Sequence, residues 1–344
     1  MTCGVGVVLM SCDSGKYFAE KILPHLNRML KTENLPTINL TETVEQKFEN
    51  TEIKSNILES IRGKDVYIVQ DVSNKSNGYS VNDNVLALKT LIYSAKRSDA
   101  YRVNVILPTF PYARQDKSFN SREGITAKMF ASEMDLAGVD HIITIDIHNP
   151  SILGFFDKCG VENLKGFRDL YRYALDNIPL DNLVVSSPDL GGIKRASLFA
   201  NELSRNLITI YKERNYVKID TIDKMVVLGD VKGKDVLLID DMLDTGGTMY
   251  AAINLLKENE ANKVYVMCSL PFFNGKAVGR FDELYAAGKL EKIIGTNAVY
   301  HEPDFSEKHP WFVSVNVESY FAKVILNLHS SKSVSDLLKE IKDS

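Results

Sequence analysis

The sequence predicts an α/β protein built of two similar domains, each a mainly parallel sheet flanked by helices. Three observations carry this. The 344 residues suggest about two cores at roughly 100–200 residues per domain. Short β-rich apolar runs alternate with segments of helical apolar spacing, the pattern of βαβ units. Residues 63–71 (GKDVYIVQD) match residues 233–241 (GKDVLLIDD) at five of nine positions, at an offset of 170.

In chain order, the apolar runs predict strands at 5–10, 66–69, 103–107, 142–147, 183–185, 236–239 and 264–267. Segments 126–137 and 193–203 carry apolar residues at helical spacing. The join falls near 157–166, giving domains 1–160 and 161–309, with the helical region 310–344 returning to the first. The first run ends in Leu9-Met10-Ser11-Cys12, faintly like a lipoprotein cleavage site, but no Lys or Arg precedes it. A buried strand followed by a helix from about Ser14 is the better reading.

Composition narrows the function. With 41 basic against 45 acidic side chains and a formal charge of −4, no basic excess exists to neutralise a nucleic-acid backbone. Apolar residues at 44% and charged residues at 25% are ordinary for a globular chain. No apolar run reaches the roughly 18 residues that a membrane helix needs. Cys3, Cys12, Cys159 and Cys268 are scattered without metal spacing and read as reduced packing residues, which points to the cytoplasm.

Chemistry in parallel sheets gathers at the carboxyl ends of the strands. The sharpest such end is Asp240-Asp241-Met242-Leu243-Asp244-Thr245-Gly246-Gly247-Thr248. The glycines let backbone N–H groups approach phosphate oxygens, the hydroxyls of Thr245 and Thr248 add donors, and a following helix N-terminus favours an anion. Asp240 and Asp241 are acceptors suited to neighbouring ribose hydroxyls. The plainer reading, a helix cap and tight turn, leaves two adjacent acids unexplained. Further along, His148 and Asp146 read as sharing one face of a strand end, where an imidazole can ligate a metal or donate to a phosphate. Asp189 likewise ends a strand before Gly191-Gly192. Arg114 and Gln115 follow the 103–107 strand, and an arginine fork suits phosphate oxygens. Every Gly-Lys pair is followed by Tyr, Asp, Ala or Leu, so no Walker-type loop is present.

The 240–248 segment resembles the phosphoribosyl diphosphate-binding loop shared by type I phosphoribosyltransferases and phosphoribosyl diphosphate synthetases. The remainder is similar to the synthetases, the ribose-phosphate diphosphokinase family: residues 111–116 (PYARQD), 121–128 (SREGITAK), Asp146-Ile147-His148 with Gly154-Phe155-Phe156, and 187–192 (SPDLGG). Glu59-Ser60-Ile61-Arg62-Gly63 and Ser333-Val334-Ser335 match further family positions. The resemblance implies two phosphoribosyltransferase-like domains and transfer of a diphosphoryl group from MgATP to O1 of ribose 5-phosphate. It implies that Asp240, Asp241, Asp244, Thr245, Gly246, Gly247 and Thr248 bind ribose 5-phosphate, and that His148 and Asp189 help hold Mg²⁺. Phe48, Glu52, Arg114, Gln115 and His148 would bind ATP, and Lys212 and Arg214 would meet the transferring phosphate. Ser60, Arg62, Ser333 and Ser335 would form an allosteric phosphate or ADP site. The adenine pocket spans subunits in the family, so a homo-oligomer, often a dimer-built hexamer, is implied. The chain departs from the pattern at Phe48-Glu49-Asn50-Thr51-Glu52, where Phe-x-Asp-Gly-Glu is usual, at Ser118-Phe119-Asn120, at Leu190 and at Asp336. A non-catalytic regulatory relative and a phosphoribosyltransferase are the alternative readings.

Overall fold

The computed structural model describes residues 5–213 and 224–339. Contacts divide the chain into two units: one comprising residues up to Lys165, Ala298–Tyr300 and the segment from Val317, the other comprising Gly166–Asn297 and His301–Asn316.

In the first unit the order is β1 (Val7–Ser11), α1 (Lys16–Thr32), β2 (Leu40–Thr41), β3 (Thr43–Lys47), β4 (Ile53–Ile57) and β5 (Asp65–Val69). It continues with α2 (Val81–Arg97), β6 (Arg102–Leu107), α3 (Thr126–Ala137), β7 (His141–Ile145) and β8 (Gly160–Leu164). The sheet runs β2-β1-β5-β6-β7-β8 with every pairing parallel, while β3 and β4 form a separate antiparallel hairpin. β5 is buried along its whole length, as a strand covered on both faces must be. Local chemistry sets the helix limits. Ser80 and Asp83 close a capping box at the start of α2, and Gly138 ends α3 with φ +77°, a conformation that spares glycine a Cβ clash.

The second unit holds α4 (Phe167–Asn177), β9 (Leu183–Ser186), α5 (Ile193–Glu202), β10 (Asn206–Leu207), β11 (Thr209–Glu213), β12 (Lys224–Leu228) and β13 (Asp235–Met242). Then come α6 (Gly247–Glu258), β14 (Val264–Leu270), α7 (Ala277–Ala286), β15 (Lys292–Thr296), α8 (Phe305–Lys308) and β16 (Phe312–Val315). Its sheet runs β10-β9-β13-β14-β15-β16, again all parallel, and β11 with β12 forms an antiparallel hairpin. Position for position this is the strand order of the first unit, hairpin included. The repeated GKDV places Asp65 and Asp235 at the start of equivalent central strands. Two apolar clusters cover the second sheet, one around Leu238, Met249 and Trp311, the other around Ile239, Phe199 and Leu170.

The chain closes with α9 (Glu318–His329) and α10 (Ser335–Lys339), both in the first unit. α9 lies along α1, with Phe18 and Phe321 edge to face at 5.2 Å. Beneath it, the buried Asp65 accepts from Arg102 Nη2 at 2.6 Å and Asn104 Nδ2 at 2.9 Å, and meets His329 Nδ1 at 2.9 Å. Burial pushes the Asp65 carboxyl up, but His329, Arg102 and Asn104 together outweigh it and the net shift is downward.

One expectation is corrected. Strand β7 stops at Ile145, because Asp146 turns the backbone at φ +42°. Asp146 is buried and His148 exposed, so the two do not share a strand face.

Candidate functional site

In the second unit, β13 is the central strand, hydrogen-bonded to β9 and β14, which fixes where its carboxyl end emerges. Asp240 and Asp241 occupy that end. Asp241 is buried and its N–H donates to Asp240 Oδ1 at 2.9 Å. Burial, and then the neighbouring Asp241 charge, push the Asp240 carboxyl well above its ordinary range. Arg195 on α5 opposes this, its Nη1 lying 3.5 Å from Asp241 Oδ1 and 3.8 Å from Asp240 Oδ1.

Beyond the acids the chain turns into α6. Gly246 takes φ +71°, and a Cβ there would lie 2.8 Å from the Phe281 ring, so the position admits only glycine without rearrangement. Thr245 and Thr248 are exposed on either side. The first-turn N–H groups of α6 lack intrahelical acceptors, which makes the turn a cradle for an anion. Beside it, Asp189 Oδ1 accepts from the Gly191 N–H at 2.8 Å and starts the Leu190–Gly192 turn into α5. A Cβ on Gly192 would meet Ser187 Cβ at 3.0 Å and Ile239 O at 3.5 Å, so glycine lets this turn sit close to β13. Both β11 and β13 pack against the same turn. Lys212 lies on β11, opposite Met225 of β12. The predicted residues 189, 212, 240 and 241 thus belong to elements that converge. Arg214 lies outside the described residues.

In the first unit, Arg114 and Gln115 are exposed in the loop after β6, whose bend is made by Tyr112 at φ +57° and closed by Gln115 N–H donating to Tyr112 O at 2.8 Å. The nearly buried Asp116 accepts from Asn149 Nδ2, and Asn149 adjoins the exposed His148. This link holds the Arg114–Gln115 loop against the segment following the adjacent strand β7. Phe48 and Glu52 form the tip of the β3–β4 hairpin, closed by Phe48 N–H to Glu52 O and Thr51 N–H to Phe48 O, both 2.8 Å. Asn50 Oδ1 accepts from Glu52 N–H at 3.2 Å, and Phe48 is 41% exposed. Ser60 and Arg62 are exposed ahead of β5, with Arg62 paired to Asp99 at 2.6 Å. Ser333, between α9 and α10, and Ser335, the first residue of α10, are exposed, and Ser333 Oγ accepts from Asp336 N–H at 3.3 Å.

Sequence reasoning missed Arg195 and Asn149. The available signal for Arg195 was its place one turn into the helix that Gly191-Gly192 opens. Asn149 carries no signal beyond adjoining His148. Among the described residues no three His, Cys, Asp or Glu side chains are grouped as a metal cage. A carboxylate such as that of Asp189 suits a hard cation that takes its remaining ligands from substrate phosphates and water, the usual state of Mg²⁺. Cys12, Cys159 and Cys268 are buried and unpaired. No helix among the described residues is long and apolar enough to cross a membrane.

Comparison with known proteins adds to this geometry. The family model for the N-terminal domain of ribose phosphate pyrophosphokinase matches residues 7–138, and that for the phosphoribosyl transferase domain matches residues 162–309. The chain is 38% identical to the ribose-phosphate pyrophosphokinase of Chlorobaculum tepidum over 87% of each chain. It is 35% identical to ribose-phosphate pyrophosphokinase 3 of Saccharomyces cerevisiae, over 88% of this chain and 91% of the relative. Among solved structures it is similar to phosphoribosylpyrophosphate synthetase from Mycobacterium smegmatis, with a TM-score of 0.80 and 29% identity, covering 95% of this chain and 99% of that one.

Proposed function

The chain belongs to the ribose-phosphate pyrophosphokinase family, and from that membership we infer that it moves the diphosphoryl group of ATP to O1 of ribose 5-phosphate. The products are 5-phosphoribosyl 1-diphosphate, a precursor for nucleotide synthesis, and AMP. The observation that carries the reading is that the Asp240–Asp241 strand end and its glycine cradle occur together with the N-terminal unit of that family.

In this reading Asp240 and Asp241 accept hydrogen bonds from the ribose hydroxyls, and Asp244, Thr245, Gly246, Gly247 and Thr248 hold the 5-phosphate. The first-turn N–H groups of α6, which have no intrahelical acceptors, support it. Arg114, Gln115 and His148 hold the ATP polyphosphate, supported by the Asp116–Asn149 link that fixes their loops together. Phe48 and Glu52 contact adenine in a homo-oligomer, which suits an exposed aromatic at a hairpin tip. His148 and Asp189 would each offer a ligand to Mg²⁺, which would supply positive charge at the polyphosphate oxygens. Lys212 and Arg214 steady the charge that spreads over the transferring group, a task of positioning and electrostatics with little covalent chemistry for the protein. Ser60, Arg62, Ser333 and Ser335 remain a candidate regulatory phosphate site. A cytoplasmic location agrees with the unpaired cysteines.

The test is formation of AMP and phosphoribosyl diphosphate from ribose 5-phosphate, ATP and Mg²⁺. Equal amounts of the two products are expected, with kcat falling at least about 100-fold in Lys212→Ala. Tight binding of ribose 5-phosphate with no AMP would overturn the ATP-dependent assignment and favour the non-catalytic relative.

A further inference from the structure

Three consecutive residues of the 5-phosphate loop are each held by the segment that leads into and begins α7. Asn274 Nδ2 donates to Asp244 Oδ1 at 2.9 Å, Arg280 Nη1 donates to the Thr245 carbonyl oxygen at 2.7 Å, and the Phe281 ring lies directly under Gly246. The same Arg280 nitrogen would stand 3.4 Å from a Cβ on Gly247. One turn further along α7, Glu283 accepts from Tyr250 OH at 2.7 Å, tying α6 to the same helix.

A peptide group is planar and its C=O and N–H point in opposite directions. Anchoring the Thr245 oxygen from behind therefore fixes the direction of the Gly246 N–H on the other side of the same peptide. A charged donor on that oxygen also polarises the peptide and strengthens its N–H as a donor. Gly246 has a wide choice of backbone conformations in isolation, so a loop centred on it needs an outside template to stay in one shape. We propose that Asn274 and Arg280 are positioning residues, which hold the 244–248 loop in the form that receives the 5-phosphate dianion of the sugar substrate. This rests on the reading of that loop as the ribose 5-phosphate site. Neither residue reaches the reacting atoms in this account; both act through the loop backbone.

The test compares Arg280→Met, Arg280→Lys and Asn274→Ala in the full-length protein, measuring KM for ribose 5-phosphate and for ATP separately. Thermal melting and calorimetric titration with ribose 5-phosphate accompany the kinetics. Loss of one charge-assisted hydrogen bond predicts a rise of about 10-fold in KM for ribose 5-phosphate in Arg280→Met, with KM for ATP moving less than about 2-fold. Arg280→Lys, which keeps the charge and one donor, should recover most of the loss. Asn274→Ala removes a bond from an uncharged donor to a carboxylate, at an exposed side chain, and should give a smaller rise of about 3-fold. A lowered melting temperature with both KM values unmoved, or with both moved equally, would assign the pair a structural role and overturn the proposal. Absence of ribose 5-phosphate binding by the wild-type protein would instead overturn the site reading beneath it.

Discussion

Thr51 is a β-branched residue at φ +71°, a conformation that costs a non-glycine residue roughly 1–2 kcal/mol. It sits where the family's hairpin usually carries glycine. Thr51→Gly should therefore raise stability by about 1 kcal/mol, read as a higher denaturation midpoint, and an unchanged midpoint would mean that Thr51 makes compensating contacts. The adjacent carboxylates respond to charge in a different way. Arg195 holds down the pKa of Asp240 against burial and Asp241. With Arg195→Met the opposing charge disappears, Asp240 rises further, and more alkaline pH is needed to ionise it. The acid limb of the kcat/KM profile for ribose 5-phosphate should shift to higher pH, and a limb that stays put would remove Asp240 from the titrating group. At this scale the 240–248 loop was legible because its acids, glycines and threonines are contiguous. Arg195, Asn149, Asn274 and Arg280 were not, since each reaches its partner from another element and carries no local motif. The alternation assumed for Asp146 and His148 failed for a comparable reason: one left-handed residue ended the strand early, and no glycine marked it.

The β3–β4 hairpin shows how an element is fastened. Thr43 Oγ1 donates to Ser11 O at 2.6 Å, Glu45 Oε2 accepts from Asp13 N–H at 3.3 Å, and Lys47 pairs with Asp83 at 3.0 Å. Burial, and then the nearby Asp13 charge, push the Glu45 carboxyl from 4.5 up to about 7, with the Cys12 thiol against it. A carboxyl whose pKa is raised on folding favours the fold when protonated. Its contribution is fully present below its unfolded value, declines as pH rises toward 7, and is gone above it. Glu45→Gln should flatten stability between about pH 5 and 8 and gain on the wild type at the alkaline end. Denaturation midpoints across that range check this, and parallel curves for the two proteins would count against it. The equivalent hairpin β11–β12 carries Lys212, so the repeated fold has put different side chains on the same element. That difference explains why only the GKDV lead-in exposed the duplication in the sequence: strand order is kept by buried apolar runs that many residue types satisfy, while the hairpins have diverged.

At the scale of the whole molecule, the equivalent aspartates at the starts of β5 and β13 carry unequal loads. Asp65 gathers Arg102, Asn104 and His329 in a buried site, whereas Asp235 accepts from Asn262 Nδ2 at 2.7 Å and Lys263 N–H at 3.1 Å nearer the surface. Removing one partner of a buried charge network leaves the others uncompensated, so Asp65→Ala should destabilise by about 3–5 kcal/mol. Asp235→Ala should cost about 1–3 kcal/mol, the loss of partly exposed hydrogen bonds. Chemical denaturation of both variants gives the comparison, and equal losses would show that His329 and Arg102 add nothing. His329 belongs to α9, which lies more than 250 positions along the chain from the strand it serves. During synthesis the Phe18 face of α1 therefore stays bare after its own sheet has emerged from the ribosome, and while the entire second unit is being made. A chain stalled anywhere before α9 would leave that apolar face open to solvent, the kind of surface that makes an incomplete fold prone to aggregate.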